Sequence, residues 1–165
     1  MFQAGDTVVH PFAGVCRVLD IRNERFGDRP QLYYVIASTQ DKGGNRIYVP
    51  VDGGKILLRR PLSEREVQTV LQNVSASEVR WPENEKERAE QFSLLLRKGT
   101  YAQLVKMIAL LHQWKDARRA AGKKMPAGDE RLLQEAQQMI HREFAYALGL
   151  DEAQTIRYIM NHIAV

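Results

Sequence analysis

The sequence has one cysteine, Cys16, in 165 residues. It therefore cannot form an intramolecular disulfide, and no cysteine-based zinc site can be built. Its four histidines, His10, His112, His141 and His162, are scattered and never fall into a metal-binding spacing such as H-E-x-x-H. No apolar run approaches the roughly 20 residues a bilayer span needs; the longest, such as 107–111, are far shorter. No basic stretch followed by an apolar run opens the chain, so no secretory signal is expected and a cytoplasmic protein is the default. Phosphate-loop chemistry is also missing. Gly122-Lys123-Lys124 has no glycine five residues upstream and no following Ser or Thr. Gly43-Gly44 reads as a hairpin turn, because no helix follows it. The carboxylates Glu83, Glu85, Glu87 and Glu90 are explained by a solvated helix start. The sequence thus predicts no catalytic site, no cofactor and no metal. A small hydrolase would need a pocket with convergent titratable groups, and none is expected.

What is present divides by pattern. Residues 1–60 carry short runs rich in β-branched and aromatic side chains: Thr7-Val8-Val9, Val15 to Ile21, Leu32-Tyr33-Tyr34-Val35-Ile36 and Arg46-Ile47-Tyr48-Val49. A weaker fifth run is Ile56-Leu57-Leu58-Arg59. Turn signals separate them, among them His10-Pro11-Phe12-Ala13-Gly14 and Lys42-Gly43-Gly44-Asn45. Four or five strands in so short a span close most economically as a small SH3-like or Tudor-like barrel. Cys16 falls inside a strand and reads as a small core residue.

At Pro61 the period changes from two to 3.6. Ser63-Glu64-Arg65-Glu66 is a capping box, followed by Val67, Val70, Leu71 and Val74 at helical spacing. The stretch 75–84 is polar and broken, with Trp81-Pro82 inside it. A second helix is expected over 85–98, with Gly99 in the left-handed stop position. A third runs from near Thr100 to Gly122, carrying Leu104, Val105, Ile108 and Leu111 on one face. A fourth spans 127–148, with Leu132, Leu133, Ala136, Met139, Ile140 and Phe144 inward and Gly149 as its stop. Asp151 caps a last helix bearing Ile156, Ile159, Met160 and Ile163. The fold class is therefore α+β, with a small β-barrel over 1–60 and an all-α domain of about five helices over 61–165.

The net charge of +4 hides a strong asymmetry. Residues 97–124 hold eight Lys and Arg against Asp116 alone. This block reads either as a phosphate-tracking surface or as a solvated helix face favoured near a helix C-terminus. No helix-turn-helix or zinc-finger spacing accompanies it, so base-specific readout is not indicated.

The opening stretch, Phe2-Gln3-Ala4-Gly5-Asp6-Thr7-Val8-Val9-His10-Pro11-Phe12-Ala13-Gly14-Val15, resembles the F-x-x-G-D-x-V-V-H/Y-P-x-x-G-V start of CarD/CdnL bacterial transcription regulators. The polymerase-binding module of the transcription-repair coupling helicase shares that pattern. The likeness continues through Tyr33-Tyr34-Val35-Ile36, Ile47-Tyr48-Val49-Pro50-Val51, Leu58-Arg59, Trp81, Gly122-Lys123-Lys124-Met125 and Glu143-Phe144-Ala145. It covers essentially the whole chain.

The resemblance implies a Tudor-like domain that docks on the β subunit of RNA polymerase by adding a strand to the polymerase lobe. By position the docking strand covers Arg22, Asn23, Glu24, Arg25 and Phe26, with Arg46 and Tyr48 contributed by a neighbouring strand. On the residues alone, an ordinary hairpin with solvated charges is the favoured reading, which the resemblance reverses. Where some relatives carry arginine, this chain has Tyr48.

The resemblance further implies that a tryptophan of the helical domain, here Trp81, wedges into the minor groove at the upstream edge of melted promoter DNA. Read without the family, Trp81 ranks first as a core aromatic. Pro82-Glu83-Asn84-Glu85 replace basic residues that follow the tryptophan in some relatives, and the loop is about four residues longer. Lys86, Arg88, Lys123 and Lys124 are the phosphate-contact candidates, while Trp114 reads as core packing. The expected function is a non-enzymatic regulator that stabilises the promoter open complex and sits in the nucleoid through polymerase. The alternative is an interaction adaptor that uses the barrel without touching DNA. A continuous basic face joining Trp81 to Lys123 and Lys124 would favour the first.

Overall fold

The computed structural model describes residues 1–163. The chain divides into two compact units, Met1–Leu62 and Ser63–Val165.

The first unit is an antiparallel meander of β1 (Thr7–His10), β2 (Gly14–Glu24), β3 (Gln31–Ser38) and β4 (Ile47–Pro50), in the order β1-β2-β3-β4. The β1–β2 turn shows why its residues are what they are. Gly14 adopts φ +72°, which only glycine takes without strain. The His10 Nδ1 accepts the amides of Phe12 and Ala13 at 3.1 and 3.0 Å, fixing the tip. Val8, Cys16, Val18, Tyr34, Ile36 and Val49 form the core, with Phe2, Ile21, Ile47 and Leu58 packed around it. The register shifts between Val18 and Asp20, so Leu19 is an extra, bulged residue. That single residue turns Ile21 toward the core and leaves Asp20, Arg22 and Glu24 on the opposite face.

The sheet does not close into the expected barrel. The fifth run pairs with β1 only through the bridge Val9↔Arg59, with amide-to-carbonyl distances of 2.7 and 3.3 Å. The segment leading into it holds the turn formers Pro50, Asp52, Gly53 and Gly54, which leave too little extended chain for a full strand.

The described residues of the second unit form α1 (Glu64–Gln72), α2 (Glu85–Lys98), α3 (Tyr101–Ala120), α4 (Ala127–Leu148) and α5 (Glu152–His162). Capping boxes start α1 (Ser63/Glu66), α3 (Thr100/Gln103) and α5 (Asp151/Gln154), and Asn84 caps α2 through its side chain. α4 packs against each of the other four helices. The centre holds Phe92, Met107, Leu111, Leu133, Ile140 and Phe144, all essentially buried.

Two expectations are corrected. Gly99 does end α2, but in extended backbone (φ −70°, ψ 157°), not as a left-handed stop. Its requirement is steric: a Cβ there would lie 2.6 Å from the Leu95 carbonyl oxygen. Met139 was expected inward, yet is 42% exposed, and Met160, carried on the apolar set of the last helix, is 68% exposed. The inward stripes of α4 and α5 are narrower than their apolar composition suggests, and flexible methionines tolerate the outer positions.

Candidate functional site

In the β unit, alternation along β3 sends Tyr34 and Ile36 into the core and Tyr33 to the other face. Tyr33 is paired across the ladder with Arg22. The loop after β2 then folds Phe26 over this face. Its ring meets Tyr33 edge-on at 5.0 Å and Tyr48 at 5.1 Å, and the two tyrosines are 6.5 Å apart. Phe26 stays 61% exposed, whereas Tyr33 beneath it is 6% exposed. Gln31 donates to the Tyr33 hydroxyl at 2.9 Å. Beside this aromatic mound lies a charged row. Arg22 contacts Asp20 at 3.1 Å and Glu24 at 4.0 Å, with all three side chains partly exposed. Such surface pairs stabilise little and exchange partners easily. Arg25 is occupied in holding its own loop, donating to the Asp28 carbonyl at 2.9 Å. Asn23 is exposed on β2, and Arg46 is exposed one residue before β4.

The backbone edge of β2 is as telling as its side chains. β1 covers β2 only from Gly14 to Arg17, and the 5–6 turn bonds Val18. Beyond that, residues 20–24 are paired with β3 on one edge only, among the described residues. An unpaired edge of this kind can accept an added strand.

In the helical unit, Trp81 lies between α1 and α2 and is half-buried. Its ring meets Phe92 and Trp114, each at 5.7 Å. The Arg88 guanidinium lies 4.8 Å from the Trp81 ring centre and 5.3 Å from that of Trp114. Arg88 was expected on the surface as a phosphate contact; it is instead 2% exposed and bound in a fork to Asp129, at 3.0 and 2.7 Å. All its directed bonds run inward, so it cannot reach a phosphate. Asp129 also accepts the Trp114 indole N–H at 3.0 Å.

The node extends to the basic block. Arg118 stacks 5.4 Å from the Trp114 ring centre and donates from Nε to the Lys124 carbonyl at 3.0 Å. Gly122 at φ +70° and the Lys123 amide bonded to the Arg118 carbonyl (2.8 Å) fix the turn. Lys123 and Lys124 project from it, both exposed. Lys86 is exposed in the first turn of α2. Sequence reasoning missed Tyr33, Trp114, Arg118 and Asp129. The spacing of Trp114 and Arg118, four apart on one helix, was a readable signal. Asp129 gave none, because an acidic residue in a first helical turn is unremarkable.

Family models match both units. The model described as CarD-like/TRCF RID domain matches residues 2–61, and that of the CarD C-terminal domain matches residues 66–160. The chain belongs to the CarD family. As a CarD-family chain, it is an RNA polymerase-interacting transcription factor of a non-enzymatic family. No curated protein matches it at a significant level.

Other features of this CarD-family chain fit scaffold roles. Burial lowers the pKa of His10, and burial is also the main reason His141 and His112 are lowered; Glu152 opposes it at His141, and Lys115 adds to it at His112. Burial pushes the Cys16 thiol up, which keeps it protonated and inert. Among the described residues, no three His, Cys, Asp or Glu side chains gather as a metal site. No described helix is long and apolar enough to cross a membrane.

Proposed function

We propose that this CarD-family protein binds the β subunit of RNA polymerase through the β2 edge and its aromatic mound, and stabilises the promoter open complex through Trp81 and a basic turn. The β subunit would add a strand along residues 20–24, with Phe26 and Tyr48 supplying apolar contact, Tyr33 supporting Phe26 from beneath, and Arg22 and Arg46 supplying charge. Trp81 would rest against a distorted base step in the minor groove, and Lys123, Lys124 and Lys86 would contact phosphates. Such contacts oppose reannealing without reading sequence.

One observation carries the DNA half: Trp81 is joined through Trp114 and Arg118 to the Lys123–Lys124 turn. A half-buried aromatic and a fixed cationic turn are therefore joined by one chain of contacts, which supports a wedge flanked by phosphate contacts. Trp81→Ala tests it. Open-complex lifetime on a linear promoter fragment should drop about tenfold, the scale of one lost stacking contact, while co-purification with polymerase persists. Full activity of that variant would leave the adaptor reading, in which the helical unit never touches DNA.

A further inference from the structure

Arg88 is charged, interior and engaged by neither proposed interface. A buried ion pair is a poor source of stability, because desolvation offsets most of the attraction. Its presence is better explained by the geometry it enforces, and here that geometry is specific. The guanidinium packs over both indole rings, which themselves meet at 5.7 Å. Nε and Nη2 donate to the two carboxylate oxygens of Asp129. Nη1 donates to the carbonyls of Pro82 and Glu83, at 3.0 and 3.3 Å. These are the two residues that follow Trp81. The same side chain thus holds the Trp81 ring and the backbone leading away from it.

Trp81 needs such a hold. It belongs to no helix or strand, so no backbone ladder fixes it. Asp129 sits in the first turn of α4, shortly after the Lys123–Lys124 turn, and also anchors Trp114. One carboxylate therefore ties the segment bearing Trp81 to the segment bearing the lysines.

Building on the DNA-contact reading, we propose that the Arg88–Asp129 pair is a positioning clamp for Trp81, setting the indole relative to the basic turn without itself meeting DNA. Lysine cannot serve in its place: it is a single point charge, without the planar fork that spans a carboxylate while packing against both rings. Asparagine at position 129 would accept only one of the two fork bonds.

The test uses the full chain, polymerase holoenzyme and a linear promoter fragment, reading open-complex lifetime, near-ultraviolet circular dichroism of the indoles and the thermal midpoint. Arg88→Lys and Asp129→Asn should each shorten the lifetime about tenfold, the size of a desolvated cation–π contact, and alter the indole dichroism. Adding Arg88→Lys to Trp81→Ala should shorten it no further, because the clamp acts through the ring. The double change Arg88→Met with Asp129→Leu removes both charges together; it should keep the thermal midpoint and still shorten the lifetime. A wild-type lifetime in that folded double variant overturns the clamp, as does an additive loss in the Trp81→Ala background. A wild-type lifetime for Trp81→Ala alone overturns the DNA-contact reading itself, which separates the two failures.

Discussion

Phe26 illustrates how much a single residue can carry without supporting the fold. It is mostly exposed, and its ring meets Tyr33 and Tyr48 edge-on. Those contacts are worth about 1 kcal/mol, so Phe26→Ala should leave the thermal midpoint nearly unchanged. At an interface a central aromatic is worth about 2 kcal/mol or more. The same substitution should therefore weaken binding to the isolated β lobe at least roughly tenfold, measured by titration calorimetry. Unchanged affinity would place the polymerase contact elsewhere. The histidines act on stability instead. His10 and His141 fold with pKa values below 6.5, so between that value and their folded values the unfolded chain binds more protons. Stability should hold above about pH 6.5 and fall as the pH drops below it. Protonating His10 also removes the acceptor of two backbone amides at the β1–β2 tip. Thermal melts at pH 7.5 and 5 check this; His141→Gln should shrink the difference.

At the scale of the element, local rules and packing had unequal reach. The starts of α1 and α5 were legible because a cap is written in three or four adjacent residues, as with Ser63/Glu66 and Asp151/Gln154, whereas α4 begins at Pro126 with no side-chain cap. The end of α2 was legible in place but not in conformation, since a glycine says that a Cβ is excluded without saying what excludes it. Here the Leu95 carbonyl does so, and Gly99→Ala should cost about 1–3 kcal/mol as an overpacked contact. Urea unfolding with an unchanged slope would verify it. The bulge at Leu19 had no sequence signal, yet it turns Arg22 away from the core and toward the face that Phe26 covers. Without that extra residue, Ile21 and Arg22 would exchange faces.

At the scale of the whole molecule, two compact units on one chain suit the proposal of two separate grips, since a tethered second contact acts at high effective concentration. The electrostatic share of the DNA grip is separable. Each phosphate contact contributes about −0.9 to the slope of log affinity against log salt. Lys123→Ala with Lys124→Ala should therefore flatten that slope by about two, in fluorescence anisotropy with forked duplex DNA. Arg88→Lys should leave it unchanged, because Arg88 reaches no solvent. The sequence alone determined the β-then-α order, the helix limits, the basic block and the family resemblance, because each is written in neighbouring residues or in their order. Tertiary structure alone decided which charges are free. Arg88 and Lys86 are two residues apart and look alike in the sequence. Only the distant carboxylate of Asp129, brought up by α4, takes Arg88 into the interior and leaves Lys86 in water.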